Sequence, residues 1–292
     1  RRNNLMKKFK DYFEFFFILS FYYFSKFIGI YFSSFIGGLI LYTYGFFSKK
    51  SDLAFKNIKR VFPEYSQTRI KSTIRKMWFH FGRVLGEYPH LRNIDIFNDK
   101  RITIVGINNL IEPLKKNKNC LFFSGHIGNW ELTSHPLTKS GYSVHFIYRA
   151  PNNILVDKLL IKIRKNYGVG LIKKGSEGAK KCIKVLTCSK GNIGMLIDQK
   201  MNDGIKSKFF GYDVMTASAI AKFSLKYKCP IIPSVCTRTK GVKFIIKYLP
   251  QINYKKVSEL ETEENIINYL NKYIESWIKD NPDQWIWIHN RW

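Results

Sequence analysis

The stretch LFFSGHIGNWELTSHPL, residues 121–137, holds His126 and Glu131 with four residues between them. An imidazole beside a carboxylate is the pairing that general-base catalysis uses. The carboxylate selects the ring tautomer and raises the basicity of the free nitrogen. Adding His135 would make a metal set of His126, Glu131 and His135, but this lacks the two-His helical spacing of metalloproteases, and no metal is expected. The spacing alone does not choose between a catalytic pair and a coincidence. The choice rests on what positions the two side chains.

Cys120–Ser124 reads as a short β-strand, Gly125 permits a sharp turn after it, and Asn129 is a good N-cap for a following helix. Within one helix, a five-residue offset would set the two side chains about 140° apart. A strand-to-helix turn would make them neighbours, at the C-terminal edge of a strand where open α/β sheets place their sites. The surrounding pattern agrees. Further strands are expected at Ile102–Val105, Ser143–Tyr148, Ile193–Ile197, Ile231–Thr237 and Lys243–Tyr248. Helices are expected near 130–139, 153–166, 176–188, 216–228 and 260–280, and over much of 51–95. This alternation predicts an α/β fold with a mixed or largely parallel sheet flanked by helices.

The N-terminus differs in kind. Between residues 12 and 47 only Glu14 and Lys26 are charged, and Phe27–Phe47 has no charge at all. A bilayer core needs about 20 such residues in a helix, and aromatic residues crowd both ends as interface anchors do. A cleaved leader fits less well, because the apolar stretch is too long and no small-x-small site follows. Basic residues flank both sides (Arg1, Arg2, Lys7, Lys8 and Lys10 before; Lys49, Lys50, Lys56, Lys59 and Arg60 after), so charge does not set an orientation. The expected organisation is an anchoring segment, 1–50, followed by one catalytic domain, 51–292.

A net charge of +28, from 49 Lys and Arg against 21 Asp and Glu, calls for an anionic partner or a compositional bias toward Lys. No zinc-finger spacing, RNA-recognition signature or basic zipper is present, so nucleic acid is not the expected partner. The five cysteines show no zinc-knuckle spacing and no disulfide framework.

HIGNWE is followed in order by YRAPNN, a basic helix, GMLIDQ, FFG, a Thr, IIPSV and a closing PDQWIWIHNRW. This ordered set, running from the apolar segment to the last residue, resembles the bacterial lipid A biosynthesis acyltransferases. The resemblance implies a fold like that of glycerolipid acyltransferases. It also implies transfer of an acyl chain from acyl carrier protein to a hydroxyl of a lipid A precursor, with no cofactor, at the cytoplasmic face of a bacterial inner membrane. His126 would be the general base and Glu131 its orienting partner. Arg164 and Asp198 would complete the catalytic set, Arg164 holding a phosphate or facing an oxyanion. Arg149, Asn129, Trp130, Gln199, Phe209, Phe210 and Thr216 would contact substrate. The family's end usually reads His-Arg-Arg-Trp, whereas Asn290 stands here in place of one Arg. Related members acylate other glycolipids, including phosphatidylinositol mannosides, so another glycolipid or glycerolipid acceptor stays open. Lipid A phosphates, acidic acyl carrier protein and anionic membrane phospholipids are all partners suited to a basic chain.

Overall fold

A computed structural model describes residues 2–116, 119–188 and 191–292; Arg1, counted above in the basic flank, lies outside them. Ten α-helices are described: α1 Arg2–Phe47, α2 Lys50–Val61, α3 Gln67–Glu87, α4 Ile107–Lys116, α5 His135–Lys139, α6 Ile154–Lys165, α7 Ser176–Thr187, α8 Ala219–Tyr227, α9 Tyr254–Glu259 and α10 Glu263–Asp280. The strands are β1 Ile102–Val105, β2 Leu121–Ser124, β3 Val144–Tyr148, β4 Val169–Lys173, β5 Asn192–Leu196, β6 Ile205–Phe209, β7 Tyr212–Thr216, β8 Ile231–Lys240 and β9 Lys243–Tyr248. Seven of them form one sheet in the order β1-β9-β8-β2-β5-β3-β4. Only β8 and β9 pair antiparallel within it, so the sheet is mixed, as expected.

Strand β2 lies in the middle and is buried along its whole length. Its residues alternate between two cores, Leu121 and Phe123 on one face and Cys120 and Phe122 on the other. The first face is covered by α3, α7, α10 and the closing tryptophans, the second by α4 and α6.

Three differences from the expected elements stand out. Strand β4 and helix α4 were not anticipated; β4 carries Gly170 mid-strand, and α4 contains Pro113, both of which weaken a pattern-based reading. FFG lies at the turn of a hairpin between β6 and β7, two strands that were not anticipated. Phe209 pairs with Tyr212, and the two turn residues Phe210 and Gly211 have φ of 51° and 79°, the conformation that two-residue hairpins require. The helix foreseen over 216–228 therefore starts only at Ala219, because Tyr212–Thr216 is committed to β7. The helix foreseen over 260–280 is α10 alone, capped by Thr262, whose side chain accepts from the Asn265 amide.

Helix α1 kinks at Gly29 (φ 79°, ψ 164°), and both halves lie against the domain. In the first half, Asn153 Nδ2 donates to Asp11 O at 2.8 Å and to Glu14 Oε2 at 3.0 Å. The second half packs on α3 through small residues. A Cβ on Gly82 would overlap the Gly37 carbonyl, and one on Gly86 the Ser33 carbonyl. The opposite face of α1 presents Phe16, Phe17, Phe27, Tyr31, Phe32 and Phe47 to the exterior. By length and composition Met6–Phe47 is long and apolar enough to cross a membrane. Gly82→Leu is expected to wedge α1 from α3 and to cost about 1–3 kcal/mol or more. Thermal unfolding and limited proteolysis within residues 30–47 would register this, and an unchanged melting temperature would remove the packing role.

Candidate active site

Pairing of β2 with β5 brings their C-terminal ends together: Ser124 registers with Leu196, and the Ile197 amide donates to Ser124 O at 3.1 Å. Each chain then turns into the site, with His126 two residues beyond β2 and Asp198 two residues beyond β5. Gly125 is close enough to Asp198 that its Cβ, if present, would lie 3.4 Å from the Asp198 Cγ. The turn is clamped by the C-terminal segment. Ile127 bridges to Trp285, and the Gly128 amide donates to Gln284 O at 3.1 Å. Gly128 has φ of 58°, and any Cβ there would overlap the Cys236 carbonyl, so only glycine fits.

The carboxylate hydrogen-bonded to His126 is Asp198, not Glu131. His126 Nδ1 donates to Asp198 Oδ1 at 2.8 Å, and the His126 amide donates to Asp198 Oδ2 at 2.9 Å. Trp285 Nε1 donates to Asp198 Oδ2 at 2.8 Å. Asp198 is fully buried. Burial favours its neutral form, but the His126 imidazole and these three donors outweigh burial and hold it well below the usual carboxylate range. An imidazole held this way carries its proton on Nδ1 and leaves Nε2 as an acceptor, with the side chain still 18% exposed. The clamped path from Ile127 to Asn129 carries Glu131 into a 3-10 turn, Trp130–Ser134, where it meets Arg164 of α6 rather than His126.

Glu131 is the centre of a second, buried cluster. Arg164 grips it with two nitrogens, Nη2 to Oε1 at 2.6 Å and Nε to Oε2 at 3.1 Å. Tyr88 OH donates to Oε1 at 2.6 Å and Tyr167 OH to Oε2 at 2.5 Å. Burial alone would raise the pKa of Glu131, yet the Arg164 charge and the three side-chain donors bring it from 4.5 down to about 2. Burial and the Glu131 charge raise both Tyr88 and Tyr167, so both phenols stay protonated donors. Trp130 joins the two centres. Its ring meets His126 edge-on at 5.0 Å between centroids, and its Nε1 donates to Glu131 Oε1 at 3.2 Å. Glu131 thus reaches the imidazole by fixing Trp130.

Among the other sequence candidates, Gln199 comes to the site. Its Nε2 donates to His289 Nε2 at 3.0 Å and lies 3.4 Å from His126 Nε2. Burial first, and the neighbouring His126 second, push His289 down to about 4, which keeps its ring a neutral acceptor at pH 7. Arg164 and Trp130 border a small cavity with Phe146, Tyr148 and Leu196. Asn129, Phe209 and Thr216 are buried behind the turn. Asn129 Nδ2 donates to Glu87 Oε2 at 2.8 Å. Phe209 is fully buried against Trp285, Trp292 and Arg291. Thr216 accepts from Arg291 Nη2 at 2.9 Å. Phe210 packs on Phe62 at the hairpin turn. Arg149 is exposed just past the end of β3 and takes part in no ion pair among the described residues. His135 is buried between Leu91 O and Glu131 O, turned away from His126.

Sequence reasoning missed Tyr88, Tyr167, Glu87 and Arg238. The last two form a buried pair behind the turn, Arg238 Nη1 and Nη2 donating to Glu87 at 2.6 and 2.9 Å. The same carboxylate accepts from Ser34 of α1 at 2.7 Å. Tyr167 had one available signal, its position three residues after Arg164 at the end of a basic helix. The others had none, since they come from distant elements.

The model of the bacterial lipid A biosynthesis acyltransferase family matches residues 6–292. A lipid A biosynthesis acyltransferase of Haemophilus influenzae (strain ATCC 51907 / DSM 11121 / KW20 / Rd) is 22% identical over 252 residues, covering 82% of this chain and 74% of that protein.

Proposed function

We propose that this chain, which belongs to the bacterial lipid A biosynthesis acyltransferases and is an acyltransferase of that pathway, uses His126 as its general base and Asp198 as the group that poises it. The acyl donor in this reading is a thioester of acyl carrier protein, and the acceptor a hydroxyl of a lipid A precursor. His126 Nε2 takes the hydroxyl proton as the oxygen attacks the thioester carbonyl. The C–S bond then breaks, and the proton passes to the departing thiolate. The observation that carries the reading is the Asp198–His126 pair, with Nδ1 committed to a buried ionised carboxylate and the imidazole side chain still 18% exposed.

The Gln199 amide, held by neutral His289, is a donor beside the His126 ring, 3.5 Å from Nδ1 and 3.4 Å from Nε2, suited to orienting substrate oxygen. Arg164 is committed to Glu131, so its part is to position Trp130 and Glu131 rather than to bind phosphate freely. The apolar outer face of α1 and the basic composition favour work at an anionic membrane surface, which for this family would be the cytoplasmic face of the inner membrane.

The test is mass spectrometry of products from detergent-purified protein given a mixture of acyl carrier protein thioesters and a Kdo-bearing tetra-acyl lipid A precursor. Gain of one acyl mass on the precursor is the expected result, and its size names the chain. Thioester consumption without that gain, together with acylation of a lysophospholipid or a mannosylated phosphatidylinositol, would move the acceptor to another lipid.

A further inference from the structure

A cavity of about 530 Å³ lies on the far side of the catalytic turn, between α3, the second half of α1 and the β8–β9 hairpin. Arg75, Lys76, Arg83, Arg238 and Lys240 line it, against one acidic residue, Asp283. Arg238 is neutralised by Glu87. The other four take part in no ion pair among the described residues. Arg83 is the most telling of them. It is half-buried, its Nε donates to Ser34 Oγ at 2.9 Å, and neither terminal nitrogen has a hydrogen-bond partner among the described residues. One of those nitrogens, Nη2, lies 4.0 Å from where a Cβ on Gly241 would stand, beside the hairpin turn. Burial, and then repulsion from Arg238, bring Arg83 down to about 10. A guanidinium in that condition is under-compensated, and an anion beside it would lower the energy of the folded protein.

The chemistry suited to several convergent, unpaired cations with free N–H groups is a phosphate. Its source is indicated by the wall on the α1 side. Tyr42 of α1 lines the cavity, and Arg75 stacks on Phe46 of α1 at 4.9 Å. Around them Leu39, Ile40, Tyr44 and Phe46 are about half exposed. A headgroup in the cavity would therefore have its acyl chains beside an apolar helix face. The volume falls in the range of ordinary ligand sites.

We propose that this cavity binds the phosphate of an anionic lipid headgroup, as a site separate from the one at His126. The proposal rests on the membrane association read above. Occupancy would lie next to the catalytic turn, because Arg238 connects through Glu87 to Asn129, and Gln284 of the cavity wall holds Gly128.

The test is co-sedimentation of the full chain with vesicles of phosphatidylcholine, alone or containing phosphatidylglycerol. It uses the exposed triple variant Arg75→Gln/Lys76→Gln/Lys240→Gln, and Lys173→Gln/Lys181→Gln/Lys184→Gln, equally exposed residues of β4 and α7, as a charge-matched control. Phosphatidylglycerol is expected to tighten binding of the wild type. The cavity variant should lose affinity for those vesicles about a hundredfold, and the control several-fold at most. Equal losses in both variants would mean diffuse attraction and overturn the site. Binding to neutral vesicles with no gain from phosphatidylglycerol overturns the proposal alone; no binding to any vesicle overturns membrane association as well. Inorganic phosphate in a thermal-shift assay is the last arm. Stabilisation by phosphate that the cavity variant loses, with vesicle binding unaltered, would replace the lipid by a free phosphate.

Discussion

His126→Ala is expected to abolish acyl transfer, and Asp198→Asn to lower it about ten-thousandfold, with both proteins still folded. The asparagine case is the sharper of the two, because it leaves the shape of the site unchanged. The His126 amide and Trp285 Nε1 both donate to Oδ2 and would keep an oxygen acceptor in the substituted side chain. The carboxamide nitrogen would then occupy the place of Oδ1, which now accepts from His126 Nδ1 at 2.8 Å. Being a donor, it can only be satisfied by an unprotonated Nδ1. The ring proton moves to Nε2, and the nitrogen that should accept the hydroxyl proton no longer can. The magnitude follows from the same exchange in serine-protease triads, where the wrong tautomer costs about that factor with the geometry intact. The measurement is the single-turnover rate by mass spectrometry, with thermal unfolding in parallel. A variant that folds and turns over within tenfold of wild type would remove Asp198 from the mechanism.

That Asp198 and not Glu131 is hydrogen-bonded to the imidazole marks how far the sequence could be read. The central sheet was legible because its strands are short apolar runs between turn signals, and β2, β8 and β9 fall where periodicity places them. The location of the site at the end of β2 was legible too, from Gly125 and the strand-to-helix turn. The partner of His126 was not. It depends on β5 lying next to β2, and strand order across parallel crossovers is a tertiary fact that local spacing does not encode. Nearness in sequence favoured Glu131, and the turn at Gly128, locked on Cys236 and Gln284, overrode it. The hairpin at Phe210–Gly211 escaped for a related reason. Ile205–Phe209 reads Ile-Lys-Ser-Lys-Phe, apolar only at its two ends, because the inward position between them is Ser207, whose hydroxyl meets Thr216 of the partner strand. Tyr88 and Tyr167 complete a carboxylate 43 and 36 residues away in sequence, a pairing only folding brings about.

Glu131→Ala is expected to destabilise the protein by about 3–5 kcal/mol, the cost of stranding a buried charge. Arg164, with 17% of its side chain exposed, would lose both carboxylate contacts, and Tyr88 and Tyr167 their acceptor. Native pH dependence provides an independent measure of the same quantity. The carboxyl falls from 4.5 to about 2 on folding, and each tenfold change in acidity is worth about 1.4 kcal/mol, which gives roughly 3 kcal/mol. Because the folded value is the lower one, this stability is fully present above pH 4.5 and is lost as pH falls toward 2. Chemical denaturation between about pH 7 and about pH 3 should show that acid-side loss in the wild type and less of it in Glu131→Gln. A double variant, Glu131→Gln/Arg164→Met, should recover part of the loss of Glu131→Gln alone, since it removes the stranded cation together with its partner. Activity should fall in every one of these variants by release of Trp130, whose Nε1 would lose its carboxylate. Additive stability losses in the double variant, or a flat acid limb in the wild type, would show that the cluster contributes no charge-pair energy and that Glu131 acts elsewhere.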